Sequence, residues 1–181
     1  MPRNPDPKLE ARILDAAREL LHQGGEDKLS MRVLARMAGT NTPALYRRFR
    51  DRDAILRALG EGFRRDLLAV LQPCKTPEEM AHAVLGYALK KPREYELYYS
   101  TLINKLPGDR PNFEFAKKRL ADWLGGTAEE RTGLVLALMA LIHGTALLQT
   151  AGVVSPGNKK TMLAVFAATV HMLIRDAAAL P

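Results

Sequence analysis

The sequence predicts an all-α fold of about nine helices, with a three-helix N-terminal unit followed by a larger helical part. Three observations predict it. Apolar residues recur three and four apart in one segment after another, the spacing of a helix face. Starts such as Ser30, Thr76-Pro77 and Thr127, and stops such as Gly24-Gly25, Gly39, Pro73 and Gly125-Gly126, bound those segments. No stretch alternates apolar and polar residues convincingly as a half-buried strand does, and no repeat or low-complexity tract appears. A chain of 181 residues, 47% hydrophobic and 26% charged, can bury one substantial core, or one core and a small satellite, and is not disordered in composition.

Taken in order, residues 1–7 hold three prolines and read as a disordered arm, with Arg3 and Lys8 near it. The first helix runs from about Pro7 to Gln23 on a stripe of Ile13, Leu14, Ala17, Leu20 and Leu21. Leu29–Phe49 follows, LSMRVLARMAGTNTPALYRRF, and it is the most informative stretch. Ser30 is an N-cap, and Leu29, Val33, Leu34 and Met37 form an apolar face. Ala35 and Ala38 are small enough for close approach, and Gly39 suits a left-handed helix end. The next helix starts at Asn41 or Thr42, with Pro43 tolerated in its first turn. Leu45 and Phe49 point inward, leaving Thr42, Ala44, Tyr46, Arg47 and Arg48 outside. Two short helices about a glycine turn form a helix-turn-helix, whose second helix can enter a DNA major groove.

Asp51 caps a long helix from about Arg52 to Leu71, with Ile55, Leu59, Phe63, Leu67 and Val70 inside. Arg52 stands at the helix end that disfavours a cation, which suggests another partner there, such as a phosphate. Further helices span about Pro77–Lys90, Pro92–Leu106 and Phe113–Leu124. Pro107–Pro111 is a turn. A long helix starts at Thr127, Glu129 and Glu130 and ends near Thr150, and Ala151–Gly157 is a loop. The last helix starts at Ser155-Pro156 and runs to about Leu180. The expected division is 1–50 for the helix-turn-helix domain and 51–181 for the rest.

Charge singles out the same region. The chain carries a formal +7, and Arg32 to Arg65 holds nine Arg against Asp51, Asp53 and Glu61. Basic charge confined to the helix-turn-helix and the helix after it is the footprint expected of a surface that meets phosphates. A solvated basic face is the plainer alternative.

The remaining chemistry excludes several classes. Cys74 is the single cysteine, so no disulfide forms within the chain; it reads as an incidental thiol at a helix end rather than a redox sensor. His22, His82, His143 and His171 have no metal-ligand spacing. There is no Gly-rich phosphate loop, nucleophile elbow or HExxH, and the acids at 78–79 and 129–130 are explained by helix starts. No catalytic residue, metal or cofactor is expected. The N-terminus does not read as a signal peptide, and the longest apolar run, Leu134–Ile142 extended to Leu148, falls short of about 18–20 residues for a membrane span. A cytoplasmic protein is expected.

Gly133–Leu148 and Met162–Ile174 are apolar nearly all round. Helices apolar on every face need burial on every face, and nine helices cannot easily enclose two of them. Ala137, Ala140, Gly144, Ala164, Ala167 and Ala168 permit close helix approach. The expectation is a homodimer in which the two helices pair with their symmetry mates as a four-helix bundle. The alternative is a pair of core helices in a monomer.

The runs RILDAARELLHQGG, LSMRVLARMAG and ALYRRFRDRDAILRAL together resemble the N-terminal domain of TetR-family transcriptional regulators, over about residues 9–60. The resemblance implies an all-α homodimer, a C-terminal ligand-binding and dimerisation domain, and repression at a palindromic operator in double-stranded DNA, relieved by a small molecule of unknown identity. It implies backbone contacts from Ser30 and Arg32, groove-facing positions at Thr40, Asn41, Thr42, Pro43 and Ala44, and phosphate contacts from Tyr46, Arg47 and Arg52. The chain departs from the family's pattern in three places. Pro43 falls one position late, Arg48 replaces a frequent His, and Thr40 replaces a valine-like residue. Candidate ligand-pocket residues are Phe63, Tyr87, Tyr95, Tyr98, Tyr99, Trp123, Met139 and His143, for which core packing is the competing role. A nucleoid-type protein with little sequence choice, or less favourably a small helical enzyme, are the alternative functions.

Overall fold

The computed structural model describes residues 8–106, 108 and 110–177. Among them are nine α-helices and no strand: α1 Leu9–Gly24, α2 Met31–Met37, α3 Thr42–Arg48, α4 Arg52–Leu71, α5 Pro77–Lys90, α6 Pro92–Ser100, α7 Pro111–Leu124, α8 Thr132–Thr150 and α9 Lys159–Arg175. The expected arm at 1–7 and the end of the last helix beyond residue 177 lie outside the described residues. So does Pro7 as the start of α1.

Two compact units emerge. One comprises the described residues of Met1–Phe63 and Glu96–Pro107, the other those of Arg64–Tyr95 and Gly108–Pro181. In the first, α1 packs on α2, and α2 on α3. Ile13, Ala17, Leu34, Leu45, Ile55 and Leu56 are sealed inside. Burying a Leu or Ile side chain is worth about 1.5–3 kcal/mol, and that is what holds helices too short to stand alone. Met37 departs from expectation: it is 42% exposed, because α2 ends there and only the Leu34 side of the helix faces the core.

In the second unit α5, α8 and α9 pack mutually, and α7 packs on α8. Phe166, Val170, Leu134 and Leu120 are its most enclosed residues. His82 of α5 meets the Phe166 ring edge-on, with centroids 5.3 Å apart. Four boundaries differ from expectation, among them the start of α7, which is Pro111 rather than Phe113. The helix that opens at Pro92 ends at Ser100 and gives way to a 3-10 turn at Leu102–Lys105, so it does not reach Leu106. The segment after Gly126 also begins as a 3-10 turn, Glu129–Arg131, before α8 starts. Thr127 and Glu130 form a reciprocal cap there. Glu130 N–H donates to Thr127 Oγ1 at 3.3 Å, and Thr127 N–H to Glu130 Oε2 at 2.8 Å. α9 likewise follows a 3-10 turn at Pro156–Asn158.

Lys117 of α7 is a buried cation, 6% exposed, between Glu114 and Glu129, each 2.9 Å away. The hydrogen bond to Glu129, then that to Glu114, raises the Lys117 pKa, and Lys117 lowers that of Glu129.

The apolar run of α8 needs a correction. Counted as the helical stretch Glu129–Thr150, it is 22 residues and long and apolar enough to cross a membrane by length and composition. Its Leu134, Val135, Leu138 and Ile142 are nevertheless buried against protein. A core helix in a helical protein passes the same test of length and composition.

A candidate nucleic-acid interface

Local chemistry builds the helix-turn-helix. The Ser30 hydroxyl accepts from Val33 N–H at 3.2 Å and starts α2. Gly39, at φ 63°, ends it. Gly39 N–H donates to the Arg36 carbonyl at 3.2 Å and Thr40 N–H to the Ala35 carbonyl at 2.9 Å, the paired bonds that close a helix on a left-handed residue. Arg12 of α1 adds a side-chain donor to the Ala38 carbonyl at 3.1 Å. The start of α3 is decided in favour of Asn41 as cap: its Oδ1 accepts from Ala44 N–H at 2.9 Å. Thr42 is thereby the first helical residue, and Pro43 sits in the turn that has no use for its missing N–H.

With Leu45 and Phe49 buried, the other face of α3 turns outward. Tyr46 is 51% exposed, and Arg47 and Arg48 are exposed beside it. Pro43 is exposed, while Thr40, Thr42 and Ala44 are half-buried. Arg32 is exposed in the first turn of α2. Tyr46 and these arginines are cationic or hydroxyl-bearing at their tips, the types that position a protein on a phosphate backbone.

Arg52 has a partner that the sequence did not reveal. Its Nη1 donates to the Glu26 carbonyl at 3.1 Å and its Nη2 to Glu26 Oε2 at 3.2 Å. The unfavourable helix-end position of this cation is thus answered within the chain, and a phosphate is not needed to explain it. Asp51 caps α4 as expected, accepting from Ala54 N–H at 2.7 Å.

The eight aromatic, Met and His pocket candidates fall in different places. In the first unit Phe63 stacks on Tyr98 at 4.0 Å, with Tyr99 edge-on to both. In the second, the Tyr95 hydroxyl meets His143 Nδ1 at 2.5 Å, and burial pushes the His143 pKa down. Tyr87 is buried under Lys91, Met139 is half-buried on α8, and Trp123 lies against the Arg119 guanidinium at 4.4 Å. An open groove lined by Gly108, Arg110, Pro111, Phe113 and Glu114 contains none of them. Cys74 is buried, donates to the Val70 carbonyl at 3.4 Å, and has its pKa raised by that burial, the setting of an unreactive thiol. No cluster of three metal-ligating side chains occurs among the described residues.

On α8 and α9 the small residues Ala140, Gly144, Ala164 and Ala168 are exposed, and Ala137 and Ala167 are half-buried. Around them Leu136, Leu147, Leu148, Leu163, Val165 and Met172 are exposed by 39–62%. Two neighbouring helices of one unit therefore carry uncovered apolar surface.

Residues 13–59 match the family model described as "Bacterial regulatory proteins, tetR family". No curated protein matches the sequence. Among solved structures, a TetR-like transcriptional regulator from Rhodococcus sp. RHA1 aligns with TM-score 0.68 and 18% identity, over 98% of this chain and 99% of that one. A TetR variant from Acinetobacter baumannii AYE in complex with minocycline aligns with TM-score 0.60 and 24% identity, over 90% and 92%. NalD of Pseudomonas aeruginosa, the secondary repressor of the MexAB-OprM multidrug efflux pump, aligns with TM-score 0.55 and 17% identity, over 88% and 94%. The chain thus matches the tetR-family model over its helix-turn-helix segment, 13–59, and has a TetR-like, all-α fold.

Proposed function

We propose that the chain is a sequence-specific DNA-binding regulator, a repressor that a small molecule releases from a palindromic operator. The observation that carries this reading is the helix-turn-helix with a capped α3, whose outer face presents Tyr46, Arg47 and Arg48. Residues 1–50 are its DNA-binding domain and 51–181 its ligand-binding and dimerisation domain. Ser30, Arg32, Tyr46, Arg47 and Arg52 meet the phosphate backbone and fix the register. Thr40, Asn41, Thr42, Pro43 and Ala44 lie at the groove. The protein works in the cytoplasm as a homodimer through α8 and α9, which sets two recognition helices about one DNA turn, or a multiple of it, apart. A small molecule that enters the 51–181 domain shifts α4 and so the half-site separation. The expected coupling is on the order of 1–3 kcal/mol. The minocycline complex of the Acinetobacter TetR variant and the repressor role of NalD support the general scheme and leave this chain's own ligand open.

Selection from random DNA duplexes tests the reading. It should enrich a palindrome, and Tyr46→Ala or Arg47→Ala should weaken binding to that duplex while fold and dimer persist. Absence of any enriched sequence would leave the nucleoid-type alternative standing. Unchanged affinity in both variants would move the docking face elsewhere.

A further inference from the structure

Glu26 holds two cations at one oxygen. Its Oε2 lies 3.2 Å from Arg52 Nη2 and 3.2 Å from Lys105 Nζ. Lys105 also stands 3.8 Å from Asp53 Oδ1. Glu26 belongs to the 3-10 turn between α1 and α2, Arg52 opens α4, and Lys105 ends the 3-10 turn that follows α6. The segment bearing Lys105 is seated by a second, independent contact. A Cβ added at Gly60 of α4 would lie 2.9–3.1 Å from the Leu106 side chain, so a side chain at residue 60 would make Leu106 shift. Leu102, at the other end of the segment, is buried.

Two cations at one carboxylate oxygen repel each other, and each weakens the other's hold on it. The Arg52 side chain is 42% exposed, so its guanidinium remains reachable from solvent. We propose that Leu102–Leu106 is a regulatory strap and that Lys105, by sharing Glu26, sets how freely Arg52 can leave that carboxylate for a DNA phosphate. This rests on the DNA-binding reading above and adds the regulation of one of its contacts. With the strap seated, Lys105 supplies the Glu26 carboxylate with a replacement cation, so that only the bond to the Glu26 carbonyl holds Arg52 back from DNA. With the strap withdrawn, Glu26 keeps Arg52 and one phosphate contact is lost.

The test is a double-mutant cycle on the full chain, read by fluorescence anisotropy with a random-sequence duplex across a salt series. Lys105→Met should weaken binding several-fold and make the slope of log affinity against log salt shallower by about 0.9, the value of one phosphate contact. Glu26→Gln should strengthen binding several-fold. Lys105→Met added to Glu26→Gln should then change nothing further, because the carboxylate being contested is gone. Gly60→Ala, which displaces Leu106, should act in the direction of Lys105→Met. If Lys105→Met costs as much in the Glu26→Gln background as in the native chain, Lys105 contacts DNA directly and the strap is overturned. If the native chain does not bind the duplex at any salt, the DNA-binding reading itself fails. Circular dichroism of each variant separates loss of fold from loss of contact.

Discussion

α3 and α9 make an instructive pair. Each buries only one or two of its side chains deeply, yet they are built from opposite materials. α3 has seven residues, a polar cap, and a clear division between Leu45 inside and Tyr46, Arg47 and Arg48 outside. α9 has seventeen residues and is apolar on both its buried face, Phe166 and Val170, and its exposed face, Val165 and Met172. In α3 residue type tells inside from outside. In α9 it does not, and only the packing of α5 and α8 against one side selects the face that is buried. An exposed face as apolar as the core is expected where another surface covers it.

The largest effect separates the two faces of α9. Phe166→Ala should cost about 3–5 kcal/mol in urea denaturation, because it leaves a cavity beside His82. Val165→Glu together with Leu147→Glu should leave the folding of the isolated chain within about 0.5 kcal/mol and abolish the proposed dimer in analytical ultracentrifugation. Equal destabilisation by both would mean that the exposed face is packed within the monomer, and the contrast with α3 would vanish.

A smaller effect probes the local determinants of α3. Asn41→Ala should cost about 1 kcal/mol, the worth of an N-cap, in the same denaturation experiment. A loss near zero would show that burial of Leu45 and Phe49 alone specifies this helix. The smallest effect concerns the second unit's buried cation. Glu129 has a lowered folded pKa, so its pairing stabilises the fold above its ordinary value of 4.5 and is lost as pH falls through the folded value. Lys117 has a raised pKa, so its contribution is complete below 10.5 and is lost as pH rises through the folded value. Lys117→Met should therefore flatten both limbs of the stability–pH curve, measured by thermal denaturation. An unchanged acid limb would mean that Glu129 draws nothing from the pair.

Legibility followed the range of the interactions. Ser30, Gly39 and Asp51 act within four residues of themselves, and each reads as a cap or stop from the sequence alone. Helix ends with a Pro or Gly marker, such as Pro77 and Gly125, were readable for the same reason. Thr127 marks a start, but the turn it opens is 3-10, and Ser100 ends α6 with no marker at all. The cap of α3 stood between Asn41 and Thr42, both competent, until backbone geometry chose the first. Glu26 carried no signal. Its partners, Arg52 and Lys105, lie 26 and 79 positions away, and acidic residues in a turn are ordinary.

By itself, then, the sequence determined the helical class, the helix-turn-helix with its caps, and the basic charge around it, since all of these arise from residue type and spacing within a few turns. Tertiary structure alone decided which side of α8 and α9 is covered, which of the aromatic candidates meet, and that Arg52 answers to Glu26 and Lys105. Those outcomes depend on which distant segments share space, and a one-dimensional pattern that is apolar on every side, or charged in many places, carries no record of that choice.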